Sequence, residues 1–125
     1  MKTFSQSINL EENQRICVIN MPVSYLNELA EIPEGAMVTP RPVGKFDKVV
    51  LFTNTQNELE KSWDRLTAVL NTGGEYIICH PDKKSRVYNE IKKEDIGKMC
   101  KAKKGSMGRE FKILDGWKAV VVSFS

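Results

Sequence analysis

The 125-residue sequence predicts a three-layer α/β fold. At its centre stands a mostly parallel six-stranded sheet of order 2-1-3-4-6-5, with the last strand antiparallel. Three observations carry this. First, four short runs are apolar almost throughout: ICVI (16–19), VVLF (49–52), YIIC (76–79) and AVVV (119–122). A strand with one wet face alternates apolar and polar residues, whereas a strand covered on both faces does not. Second, segments of helical period lie between these runs, and strands alternating with helices imply parallel pairing through right-handed crossovers. Third, Asp115-Gly116 is a strong two-residue hairpin signal, so the final two strands run antiparallel.

The elements follow in order, and residues 1–14 are read as an N-terminal extension. After the first strand, Pro22 suits the first turn of a helix that presents Leu26, Leu29 and Ala30 inward and ends at Pro33. AMVT (36–39) is a weaker strand, and VVLF is the third. Thr55 and Glu58 have the spacing of a capping box, which satisfies two free amide donors at a helix start. Leu59, Trp63, Leu66 and Leu70 then make one apolar stripe, predicting a helix over 56–70. Gly73 and Gly74 are expected to stop that helix and turn the chain into the fourth strand. PDKKSRVYNEI (81–91) reads as a loop crossing the strand ends. A helix over about 93–103 turns Ile96, Met99 and Cys100 inward. EFKIL (110–114) alternates more and reads as an edge, and Trp117 opens the last strand. Trp63 and Trp117 are read as core.

Composition bounds the function classes. The chain is long enough for one domain with a core of its own. No apolar run approaches the roughly 18 residues that span a bilayer, and the N-terminus lacks a signal core. A cytoplasmic location without membrane contact is expected. Cys17, Cys79 and Cys100 form no Cys-x-x-Cys pair, which argues against a disulfide framework or a thiolate metal site. Charge is uneven. Residues 1–82 carry 7 basic and 11 acidic side chains, net −4, and residues 83–112 carry 11 basic and 4 acidic, net +7. The basic segment contains Lys92, Lys93, Lys98, Lys101, Lys103, Lys104 and Arg109. An anionic partner such as nucleic acid would need these on one continuous face, with aromatics for single strands. Tyr88 is the only aromatic within 83–109, so a solvated helix face is the favoured reading.

The order of elements resembles the class I S-adenosylmethionine-dependent methyltransferase fold, a Rossmann-like architecture, shortened by one strand-helix unit. GKFDKVVLF (44–52), LTAVLNTGGEYIICHP (66–81) and the closing FKILDGWKAVVVSF carry that resemblance. PRPVGKFDKVVLF, HPDKKS and Trp117 resemble more closely a family of short bacterial domains of unknown function with the same truncated pattern. The resemblance implies a fold and brings no activity. It also implies what a methyltransferase needs: glycines after the first strand, and an acid near the end of the second for ribose hydroxyls. Here Asn20-Met21-Pro22 and Thr39-Pro40-Arg41 stand in those places, and no cofactor is implied.

Open parallel sheets bind ligands beyond the strand C-termini, where the strand order reverses. That places a candidate crevice among Asn20, Met21, Thr53, Asn54, His80, Asp82 and Lys83. Asn54 also suits a helix cap. His80, the single histidine, is an acid-base candidate. Adjacent Cys79 should point to the other sheet face, which argues against a Cys-His nucleophile. The leading expectation is a non-catalytic domain that binds or assembles with a small-molecule or protein partner. An enzyme using the crevice, and a weak nucleic-acid-associated protein, are the alternatives.

Overall fold

In the computed structural model, residues 3–82, 91, 93–114 and 116–124 are described. The element order is α1 (Phe4–Ser7), β1 (Arg15–Ile19), a 3-10 helix (Val23–Ala30), β2 (Met37–Thr39), β3 (Phe46–Phe52), α2 (Gln56–Thr67), β4 (Leu70–Pro81), α3 (Lys93–Ala102), β5 (Ser106–Leu114) and β6 (Trp117–Ser123). The six strands form one sheet of order β2-β1-β3-β4-β6-β5, as the sequence predicts. β1 pairs in parallel with β2 and β3, and β3 pairs in parallel with β4. β6 runs antiparallel to both β4 and β5.

The unbroken apolar runs are buried on both faces. One face carries Cys17, Val49, Leu51, Tyr76, Ile78, Val120 and Val122 beneath α2 and α3. The other carries Ile16, Val18, Val50, Phe52, Ile77, Cys79 and Val121 beneath α1 and the 3-10 helix. Lys48 is buried as well, and its ammonium meets Glu75 directly across the β3–β4 pair at 2.6 Å.

Four details depart from the sequence expectations. The segment after Pro22 is a 3-10 helix with no buried residue, and Leu26 is 48% exposed. Eight residues coiled at three per turn cannot keep a 3.6-residue apolar stripe on the sheet. Next, α2 ends at Thr67, before Gly73 and Gly74, which lie inside β4. There β4 carries extra residues: Phe46 pairs with Leu70, yet Lys48 pairs with Glu75. Gly73 takes φ +80°, and Gly74 lies where a Cβ would meet the Asn71 and Asp47 carbonyl oxygens at 2.9 and 3.0 Å. The glycines therefore absorb a strand irregularity. Third, only half of the expected capping box forms. The Glu58 amide donates to Thr55 Oγ1 at 3.1 Å, while the Glu58 carboxylate accepts from the Thr53 hydroxyl at 3.2 Å. A complete box closes α1 instead, between Thr3 and Gln6. Finally, that N-terminal segment seats Phe4, Ile8 and Leu10 in the second core cluster.

One connection shapes the molecule's outline. Residues 40–45 run from β2 to β3 without a helix. They cross on the α2 face: Gly44 lies against the Arg15 guanidinium, which stacks on Phe46, and Lys45 Nζ donates to the Ala68 carbonyl at 2.7 Å. On that face β2 is left open, and Met37 is 61% exposed.

Candidate ligand crevice at the strand C-termini

A cleft of about 610 Å³ opens where β1 and β3 end. Its floor is Ile19, Leu51 and Phe52. Asn20 and Pro22 of the turn after β1 form one rim, and Trp117 forms another. Asn54, Glu58, Lys61, Ser62 and Arg65 make the α2 wall. The position is the one expected of an open parallel sheet, since β1 and β3 diverge to opposite sides there.

Each group is placed by local structure. Asn20 adopts φ 61°, a left-handed conformation that asparagine tolerates, and turns the chain sharply out of β1. The α2 wall is a polar stripe beside the apolar stripe of Leu59, Trp63 and Leu66, with members spaced three and four apart. Lys61 and Arg65 form no ion pair among the described residues. The Glu58 carboxylate is held by Thr53, and Ser62 donates to the Glu58 carbonyl at 2.8 Å. Trp117 sets its ring edge-on to Phe52, with centroids 5.2 Å apart.

The buried thiols and the buried Tyr76 hydroxyl are kept neutral. Burial pushes the Cys17 thiol up to about 11, against a smaller opposing pull from Arg65. Burial likewise raises the Cys79 and Cys100 thiols. It also raises the Tyr76 hydroxyl, which faces Ser62 yet lacks a hydrogen bond of good geometry. None of these is a poised nucleophile or base.

Of the residues singled out from sequence, Asn20 and Asn54 line the cleft. Met21 packs on the second core cluster instead. Thr53 is fully buried and bonds Thr55 and Glu58. His80 is 6% exposed and stands outside the cleft, paired across the sheet with Lys118. Its Nδ1 lies 3.1 Å from the Pro81 carbonyl oxygen, and its Nε2 has no partner. Cys79 faces the opposite core cluster, as alternation requires. Asp82 pairs with Lys118 at 3.6 Å. The reason for this separation is β6, which runs antiparallel along β4 to Pro81 and fills the space beside His80. Lys83 lies outside the described residues.

Sequence reasoning missed the α2 wall and the exposure of Trp117 to the cleft. The signal for the wall was present in the polar positions flanking the apolar stripe. The basic segment is dispersed. Lys103 pairs with Asp64 and Lys93 with Glu110, while Arg109 stacks on Phe111 and donates to the Ser7 carbonyl on the opposite face. Lys98, Lys101 and Lys104 are exposed on or just after α3, and Lys92 lies outside the described residues. No described helix is long and apolar enough to cross a membrane.

Sheet order, two covered faces and a cleft at the strand ends define a Rossmann-like α/β protein with the methyltransferase-like fold. Solved structures of that class superimpose on the chain. An S-adenosylmethionine-dependent methyltransferase from Aquifex aeolicus matches with TM-score 0.70 at 10% identity, over 95% of this chain and 88% of its own. A putative rRNA methylase from Clostridium thermocellum matches with TM-score 0.62 at 11% identity, over 100% and 97%. The magnesium protoporphyrin IX methyltransferase of Synechocystis PCC 6803, with bound SAH, matches with TM-score 0.62 at 14% identity, over 96% and 77%. At these identities the likeness shows the fold. No family model and no curated protein matches the chain.

Proposed function

We propose that this chain is a non-catalytic small-molecule-binding domain built on the methyltransferase-like fold, whose crevice takes an anionic ligand in place of S-adenosylmethionine. The observation that carries this is the α2 wall, where Lys61 and Arg65 stand without an ion-pair partner among the described residues and the one acid, Glu58, is engaged by Thr53. S-adenosylmethionine presents a sulfonium cation, which such a wall repels and an anion does not. Two further features support the same reading. The turn Asn20-Met21-Pro22 offers side chains and a missing N–H where a cofactor loop needs close backbone approach. The end of β2 leads into Pro40 and Arg41 rather than an acid that could hold a ribose. Among the described residues, the thiols nearest the cleft are raised and His80 stands outside it, so neither supplies a nucleophile or base there. The finer likeness to short bacterial domains adds no activity to this.

Titration calorimetry tests it. S-adenosylmethionine and its demethylated product should give no measurable heat. Citrate or inorganic pyrophosphate, as anionic probes, should bind, and Lys61→Ala with Arg65→Ala should abolish that binding without changing the melting temperature. Micromolar affinity for S-adenosylmethionine, about −8 kcal/mol, overturns the proposal and revives methyl transfer.

A further inference from the structure

We propose that the crevice takes a phosphate monoester carrying a planar aromatic group, held at both ends, rather than a bare anion. This rests on the reading of the crevice as an anion site and names the class of ligand. The cleft is divided in character. Trp117 packs on the second core cluster, on the side of α1 and the 3-10 helix, and Phe52 belongs to that cluster. Lys61 and Arg65 stand on α2, whose Leu59, Trp63 and Leu66 pack on the other side of the sheet. All four line one cleft, so the cleft crosses the sheet where β1 and β3 end, with rings on one side and cations on the other. It also has length. The Glu58 carboxylate accepts from Thr53, just past the end of β3, whereas Arg65 acts on the thiol of Cys17, in the middle of β1. From Glu58 to Arg65 the helix rises about 10 Å, so the cations lead away from the strand ends and from Trp117.

Each end selects its part of the ligand. The Trp117 and Phe52 rings lie 5.2 Å apart with their planes at 82°, which makes an apolar corner, and Pro22 lines the same cleft. Trp117 is only half-buried, so a planar group can lie against it and gain a ring contact. At the other end, Lys61 and Arg65 are four residues apart on one helix face, and neither forms an ion pair among the described residues. Two cations match the roughly −1.5 to −2 charge of a phosphate monoester at neutral pH better than the single charge of a carboxylate. The guanidinium fork of Arg65 also suits two phosphate oxygens at once. The volume agrees. About 610 Å³ lies within the roughly 300–1,000 Å³ of clefts that enclose a small organic molecule, and a bare phosphate leaves most of it unfilled.

Titration calorimetry with inorganic phosphate, 1-naphthyl phosphate and adenosine 5′-monophosphate tests this. The better of the two aromatic esters should bind about tenfold more tightly than inorganic phosphate, or more, the size of one aromatic stack. Trp117→Ala should remove that advantage, and Trp117→Phe, which keeps a ring at the site, should retain most of it. The better ester should quench tryptophan emission in the parent but not in Trp117→Phe, where the buried Trp63 is the remaining indole. Lys61→Ala with Arg65→Ala should abolish the binding of all three probes. A tighter adenosine 5′-monophosphate makes the natural ligand a nucleotide, and a tighter 1-naphthyl phosphate makes it a simple aryl ester; both support the proposal. Aromatic esters no tighter than inorganic phosphate overturn it and leave the anion reading standing. So does an advantage that survives Trp117→Ala, which places the ring elsewhere. Silence from all three probes while pyrophosphate binds likewise overturns this proposal alone, and silence from pyrophosphate and citrate as well overturns both.

Discussion

Trp63 and Trp117 carry the same ring, and their surroundings give them different roles. Trp63 is 1% exposed and meets Tyr76 edge-on at 5.2 Å and Phe124 at 6.2 Å. Replacing a buried Trp with Ala costs about 3–5 kcal/mol through lost transfer energy and the cavity left behind. Trp63→Ala should therefore lower the melting temperature strongly or prevent soluble expression. Trp117 is half-buried, leans on Phe52 and borders the cleft. Trp117→Ala should cost less in a thermal melt and should also weaken binding of the anionic probe. A Trp117→Ala protein that melts as low as Trp63→Ala makes it a core residue like the other. The sequence separated the two only in part. The 59-63-66 spacing announces a buried ring, whereas nothing next to Trp117 announces that its outer side meets open space. His80 teaches the converse: its chemistry drew attention, but an antiparallel neighbour 38 residues later in the chain buries it beside Lys118.

At the scale of elements, the helical and buried-strand periods were legible and the boundaries less so. The α2 stripe reads directly from Leu59, Trp63 and Leu66, yet Leu70 already belongs to β4. A glycine pair after a helical stripe reads as a stop, and here it serves the strand. Both roles require small residues, and only the β3–β4 pairing distinguishes them. The two glycines are needed for different reasons. Gly74→Ala drives a Cβ into two backbone oxygens, which cannot swing aside. It should cost about 1–3 kcal/mol, the range of overpacked sites. Gly73→Ala meets nothing within 4 Å but holds φ +80°. It should cost about 1–2 kcal/mol from the left-handed backbone alone. Chemical denaturation of both variants and the double variant separates the causes. Gly74→Ser should cost at least as much as Gly74→Ala, since Ser carries the same Cβ, and a Gly74→Ser protein as stable as the parent would contradict the steric argument. The 3-10 helix is the element least visible in sequence. Its residues suit an α-helix, yet only Tyr25 and Leu29 pack on the second core cluster and none of its residues is fully buried.

Across the whole molecule, order should fall from the sheet centre to its β2 edge. β3, β4 and β6 hold runs of fully buried residues between two helical layers, whereas β2 is three residues long and lacks cover on the α2 face. Local opening is easiest where few apolar contacts hold the backbone. Amide hydrogen exchange should find the slowest protons at Val49–Phe52, Tyr76–Cys79 and Ala119–Val122, and the fastest ordered ones in the 3-10 helix and β2. Protection of β2 equal to β3 in dilute protein would show an edge more firmly held than its contacts explain.

The sequence by itself determined the layers, the strand order and the antiparallel close. Burial on two faces removes the alternation that a half-wet strand must keep, and Asp115-Gly116 is a local hairpin instruction. It also marked the crevice, because the C-terminal ends of parallel strands follow from topology alone. The tertiary structure decided who lines it. Asn20 and Asn54 stand at strand ends and were foreseeable. Lys61 and Arg65 reach the cleft only because α2 lies on the sheet with its polar stripe turned toward the ends of β1 and β3, while His80 leaves it because β6 lies along β4. Those placements depend on contacts between residues tens of positions apart, and no local period encodes them. The bare β2 edge is of the same kind. Met37 is unremarkable in sequence, and it stays exposed on the α2 face because a six-residue connection without a helix follows β2.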